Sequence, residues 1–175
     1  MKAFFSVLIT CFCLNQIYSQ DEVKFQIYKQ HYLKGDAFYI GNNILSKNNK
    51  TPYGTFSIIN DAISMNYIDV DSDTSTFSSS NASYNLKDEN ARIVSATLYW
   101  TAVYPYSKGG RGVKNNTYYY KQTEERSGDF TQIKFKTPES KAYNDVKGNI
   151  LFDGLNNKNY EDNAPYVCFA DVTDL

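Results

Sequence analysis

Few of the side chains that usually carry enzyme chemistry occur in this sequence. It has one histidine, His31, and three cysteines, two of which (Cys11 and Cys13) sit in the first apolar stretch. Any Ser/His/Asp or Cys/His arrangement would have to use His31, yet no G-x-S-x-G turn accompanies it, and Gln30-His31-Tyr32 reads as a surface segment. Zinc needs further His or Cys ligands, and beyond the N-terminal stretch only Cys168 remains. A lone thiol also cannot close an internal disulfide, so the domain must be held by its core. Charge of one sign is lacking as well. The chain has 18 Lys+Arg against 19 Asp+Glu, and without Lys2 its net charge is −2, too mild to draw it to nucleic acid or anionic lipid. After the N-terminal run no apolar segment is long enough to span a bilayer, which leaves no transmembrane segment in the mature chain. Gly109-Gly110-Arg111-Gly112 lacks the Lys-Ser/Thr ending of a phosphate-binding loop and reads as a flexible turn.

The N-terminus is itself informative. Lys2 followed by the apolar run Ala3 to Leu14, then Ile17-Tyr18-Ser19 before charged Asp21 and Glu22, has the layout of a cleaved signal peptide over residues 1–19. Export to the extracellular space or the outer cell surface follows, with residues 20–175 as a single domain. Sixteen tyrosines and eleven phenylalanines among many Asn, Ser and Thr suit pleated, half-buried surfaces and polar turns. The expected fold is all-β, an antiparallel β-sandwich of jelly-roll type.

Individual strands can be placed by alternation. Residues 23–32 and 37–45 alternate loosely around the Lys34-Gly35-Asp36 turn, and 64–70 sets Ile68 and Val70 against Tyr67 and Asp69. Asp71 to Ser83 is a polar connection in which Phe77 is expected to reach the core. From Ala91 onward the pattern sharpens: Val94, Ala96, Leu98, Trp100, Ala102 and Tyr104 share one face, and Ser95, Thr97, Tyr99 and Thr101 the other. This predicts the central core strand. Ser107 to Asn116 reads as an exposed hairpin-like loop, with further strands over 118–121, 132–136, 149–152 and 166–172 and a tight turn at Asp153-Gly154. The chain stops at Asp174-Leu175 directly after a strand pattern, which predicts a piece of a longer protein.

Two groups are candidates for binding. Asp69, Asp71 and Asp73 would lie on one face of an extended chain about 6.5–7 Å apart, where three carboxylates repel one another and a Ca²⁺ ion would relieve the repulsion. Thr74 and Ser80 stand where an EF-hand loop needs glycine and glutamate, so that site type is excluded. Tyr104, Tyr106, Tyr118 and Tyr119 flank the glycine-rich loop, and exposed rings there could stack on sugars or on a protein partner. The adjacent acids Glu124-Glu125 and Glu161-Asp162 would face opposite ways in a strand and form no glycosidase pair.

Several ordered motifs resemble a known group. Gly35-Asp36 with Ile40-Gly41-Asn42, then Tyr67-Ile68-Asp69-Val70-Asp71 with Ser75-Thr76-Phe77-Ser78-Ser79-Ser80, then Leu98-Tyr99-Trp100, and finally Tyr166 with Ala170-Asp171-Val172-Thr173, are similar to the N-terminal module of large flavobacterial (Bacteroidetes) surface proteins. Those proteins usually end in a gliding-motility-associated, type IX secretion sorting domain. Thr101 follows Trp100 where that group usually carries glycine or alanine. The resemblance implies export and adhesin-like display, and it transfers no catalytic residue. The expected function is thus a non-catalytic module of a secreted cell-surface adhesin that contacts a glycan or protein ligand. The alternative is a carbohydrate-binding module of an exported polysaccharide-processing system. A glycosidase using unassigned carboxylates ranks last.

Overall fold

Thr97-Leu98-Tyr99-Trp100-Thr101-Ala102 has the two-residue rhythm that gives a strand one wet and one dry face. The computed structural model describes residues 26–51, 65–103, 111–120, 126–155, 157, 160 and 164–175, with the backbone alone at 111, 112 and 117–120. Nine strands lie within them: β1 (Leu45–Ser46), β2 (Asn66–Tyr67), β3 (Thr97–Ala102), β4 (Arg111–Lys114), β5 (Thr117–Tyr120), β6 (Gln132–Phe135), β7 (Asn144–Lys147), β8 (Asn149–Asp153) and β9 (Tyr166–Asp171). Every ladder between them is antiparallel, and no helix occurs among the described residues. The fold is all-β.

The chain divides between Phe38 and Tyr39 into two compact units. In the first, residues 26–38 form no strand, and Ile27, Tyr28 and Tyr32 are exposed, so the strand expected over 23–32 is absent from its described part. Alternation alone does not make a strand, because an extended segment gains its stability from a paired neighbour and a buried face.

In the second unit the largest sheet has the order β3-β9-β8. The alternation read over 97–102 holds, with Leu98, Trp100 and Ala102 the less exposed side chains. However, β3 is an edge and β9 is the central strand. Sequence alternation reports which face is dry and says nothing about how many neighbours a strand has. Leu98 and Trp100 pack with Val146, Ala170, Val172, Ile133 and Phe135, so the β6–β7 hairpin lies over the dry face of this sheet.

The two sheets are joined at one residue. β7 ends at Lys147 and β8 begins at Asn149, so a single extended stretch serves first one sheet and then the other, with Gly148 at the corner. Its N–H donates to the Thr131 carbonyl at 2.8 Å. A Cβ there would lie 2.2 Å from Cη2 of Trp100 and 2.9 Å from the Phe169 carbonyl oxygen, so close approach demands glycine. On the far side the Trp100 indole Nε1–H donates to the Phe130 carbonyl at 2.9 Å.

Elsewhere the elements are shorter than the pattern predicts. The 37–45 and 64–70 stretches reduce to β1 and β2, which pair Leu45 with Tyr67 and Ser46 with Asn66. Asn42 and Asn43 compete with the ladder there, their side chains bonding the Asn81 and Leu45 carbonyls respectively. Within the loop expected over 107–116, residues 107–110 lie outside the described residues, Arg111–Lys114 form β4, and the turn to β5 is Asn115-Asn116, both with left-handed φ (52° and 62°). Paired positive φ marks a two-residue type I′ turn, and asparagine tolerates it best after glycine. Asp153-Gly154 opens the longer connection from β8 to β9 rather than a two-residue hairpin turn, with the Asp153 carboxylate accepting from Leu155 N–H at 3.0 Å.

The signal-peptide span 1–19, Tyr104, Tyr106, Glu124-Glu125 and Glu161-Asp162 lie outside the described residues, as do the Tyr118 and Tyr119 side chains. No helix among the described residues is long and apolar enough to cross a membrane.

Candidate functional site

The aspartate ladder does not stay extended. After β2 the chain is held by Ile68 N–H to Ile44 O (2.9 Å) and Asp69 N–H to Asn49 O (2.8 Å), and it then reverses at Ser72, whose φ is 56°. Ile68 is fully buried and anchors this turn. The loop closes around the Ser79 hydroxyl. That oxygen accepts from Val70 N–H (3.0 Å) and Asp71 N–H (3.3 Å), and it lies 2.7 Å from Asp71 Oδ1 and 3.1 Å from Asp69 Oδ1. One hydroxyl proton is therefore set between two carboxylates.

Each aspartate is engaged by its own surroundings. Asp69 accepts from Ser72 N–H at 3.0 Å, and Asp73 accepts from Ser75 N–H at 2.8 Å. Asp71 accepts from Asp73 N–H at 3.2 Å and from the Tyr143 hydroxyl, which arrives from the loop between β6 and β7. The Tyr143 bond, followed by that of Ser79, holds the Asp71 carboxyl down at about 2. The same carboxylate pushes the Tyr143 phenol up to about 12. Bonds from Ser75 lower Asp73.

These contacts differ from the geometry on which the calcium expectation was argued. An extended chain was expected, whereas the chain turns at Ser72 and Asp69, Asp71 and Asp73 each accept a backbone N–H of the loop. Among the described residues no three acid, histidine or cysteine groups gather as a metal site. Phe77 also departs from expectation: it is 80 % exposed, and its ring meets Tyr67 edge-on at 5.3 Å.

A second cluster carries no signal in the sequence. Arg126 is only 5 % exposed, and its guanidinium forks onto both Asp153 oxygens at 2.9 Å, with a further bond to the Ala164 carbonyl at 3.3 Å. Its Cζ stands 4.3 Å from the centre of the Phe130 ring and 5.8 Å from that of Tyr166. The Arg126 hydrogen bond holds the Asp153 carboxyl below the usual carboxylate range. This clamp ties the start of the β8–β9 connection to its end, which suits a structural role. Cys168 beside it is fully buried, and burial pushes its thiol up.

The outer face of the β3-β9-β8 sheet is the third feature. Cross-strand register puts Tyr99 opposite Phe169, with their rings stacked 6.0 Å apart at 25°. Tyr99 is 62 % exposed and Phe152 also faces solvent, its ring meeting Tyr160 edge-on at 5.5 Å. Tyr99 lies on the wet face that alternation predicts for β3, whereas the tyrosines expected to bind flank the glycine-rich loop. The signal was a large ring among Ser95, Thr97 and Thr101. His31, for its part, is exposed and lies in no strand.

Comparison with protein-family models, with curated proteins and with solved structures returns no match for this chain.

Proposed function

We propose that this chain is a non-catalytic module of an exported, adhesin-like cell-surface protein, acting in attachment or surface assembly in a gliding-motility or type IX secretion setting. The carrying observation is the two-sided sheet: one face of β3-β9-β8 packs on β6–β7, while the other turns Tyr99 to solvent. Aromatic side chains cost little conformational entropy when they are covered, which suits a contact surface. The engagement of Asp69, Asp71, Asp73 and Asp153 with backbone N–H groups, hydroxyls and Arg126 supports a binding role over acid–base work. The resemblance to flavobacterial surface proteins supports export and display.

Gold-labelled antibody on intact cells, with surface attachment of a deletion strain, tests this reading. Label on the outer surface and impaired attachment are expected. Hydrolysis of chromogenic glycosides by the purified chain, lost on a single Asp→Asn change, would replace it with an enzyme. The carbohydrate-binding alternative is favoured by one observation, the stacked Tyr99–Phe169 pair.

A further inference from the structure

β3 forms one edge of the β3-β9-β8 sheet, and half of its main chain is unused. Val172 N–H donates to the Ala96 carbonyl at 2.9 Å, so these two residues are a bonded pair just before the strand. Alternation along an antiparallel ladder then turns the main-chain groups of Leu98, Trp100 and Ala102 toward β9 and those of Thr97, Tyr99 and Thr101 away from it. Among the described residues these outward N–H and C=O groups meet no partner. All three residues are exposed. Proteins blunt such open edges with a charge, a proline or a bulge. The opposite edge, β8, has a bulge, seen as a register shift between Ile150 and Phe152. β3 has none of the three.

We infer that the open edge of β3 pairs antiparallel with β3 of a second copy of this chain, Tyr99 against Tyr99, joining two three-stranded sheets into one continuous sheet. The strand itself selects this occupant. Thr97-Leu98-Tyr99-Trp100-Thr101 has the same order of chemical types from either end: hydroxyl, apolar, tyrosine, apolar, hydroxyl. In the register centred on Tyr99, Thr97 opposes Thr101 of the second copy, and every outward main-chain group of these residues exchanges hydrogen bonds with its counterpart. Side chains match as well. Thr meets Thr and Tyr meets Tyr on the outer side, while Leu98 meets Trp100 of the second copy on the dry side, about 4.5 Å apart at Cα. No charge on the strand is desolvated or set against its like. A slip of one residue would turn the dry face of one copy to the wet side of the other. The inference rests on the sheet edge and is independent of where the chain is displayed. A six-residue edge is about 20 Å long, small against the about 800 Å² per partner of a stable interface, so the pairing is reversible.

Sedimentation velocity of the purified chain between about 10 µM and about 1 mM, alongside Tyr99→Lys, Tyr99→Glu and their equimolar mixture, tests the inference. A reversible monomer–dimer equilibrium is expected, weakened about tenfold or more in each variant alone by like charges at the two-fold axis and restored in the mixture, where lysine meets glutamate. Unchanged Trp100 emission checks that both variants fold. Amide exchange of the unaltered chain gives a second readout. The Thr97, Tyr99 and Thr101 N–H groups should exchange quickly in dilute solution and slowly when concentrated, with those of Leu98 and Trp100 protected in both. A chain that stays monomeric at the highest concentration, a dimer untouched by either charge, no recovery in the mixture, or a Tyr99 amide already protected in the dilute monomer would overturn the inference.

Discussion

The Tyr143 hydroxyl donates its hydrogen bond to the Asp71 carboxylate, joining residues 72 apart in sequence and fastening the serine-rich loop to the β6–β7 hairpin. Lys136 stands 4.7 Å over the centre of the same tyrosine ring. This one bond gives the loop a defined pH window. Asp71 falls from 3.8 to about 2, so its contribution is present above pH 3.8 and is lost as pH drops through about 2. Tyr143 rises from 10.0 to about 12, so its contribution is present below pH 10 and is lost as pH climbs through about 12. Ultraviolet titration of tyrosinate absorbance should show a late-ionising phenol that belongs to Tyr143. In Asp71→Asn that phenol should return toward the ordinary tyrosine range; an unchanged titration would contradict the bond.

Ser79 organises the same loop from inside. Ser79→Ala removes the acceptor of two backbone N–H groups and the donor to two carboxylates, and it should cost about 1–3 kcal/mol in urea unfolding. The Tyr143 titration should shift with it, because Ser79 helps to fix the Asp71 carboxylate. A loss within about 0.5 kcal/mol would mean the hydroxyl is not the organising group.

Arg126 and Asp153 form a forked pair that a point charge cannot replace. Arg126→Ala leaves Asp153, 29 % exposed, without its partner and uncovers Phe130, so a loss of about 2–3 kcal/mol is expected. Arg126→Lys keeps the charge but not the two-pronged geometry, and it should recover less than half of that loss. Full recovery by lysine would show that charge alone matters.

Gly148→Ala forces a methyl group into the Trp100 indole. Because neither the ring nor the Phe169 carbonyl can move freely, destabilisation of about 1–3 kcal/mol and a shifted tryptophan emission are expected. Wild-type stability in this variant would contradict the corner at which the two sheets meet.

Asn115-Asn116 offers a change in the other direction. Asn116→Gly relieves a φ of 62° and should raise stability by about 0.5–1 kcal/mol, since glycine is the best residue at the second position of a type I′ turn. A loss of stability would place the hairpin turn elsewhere.

What could be read in the sequence followed from local chemistry. The dry and wet faces of β3, the strand at Gln132–Phe135 and the strand at Tyr166–Asp171 were visible because alternation records burial directly. β7 was not, because Val146 is its one apolar residue and a strand so polar carries no rhythm. The aspartates were placed on a straight chain, and the turn at a single left-handed residue, Ser72, carries no signal in their spacing. Arg126 was invisible for a different reason: its partners come from Asp153 and Ala164, and no spacing rule connects them. The central place of β9 likewise depends on which strands become neighbours, a property of the whole sheet.

Trp100, the chain's one tryptophan, is turned inward with its indole N–H bonded to the Phe130 carbonyl while Tyr99 beside it faces out. A single indole N–H resonance followed by NMR after transfer to D₂O measures this. A shifted signal that persists after exposed amides have exchanged, with cross-peaks to Phe130 and Gly148, is the result the account predicts. An indole proton that exchanges at once at its free-peptide shift would contradict it.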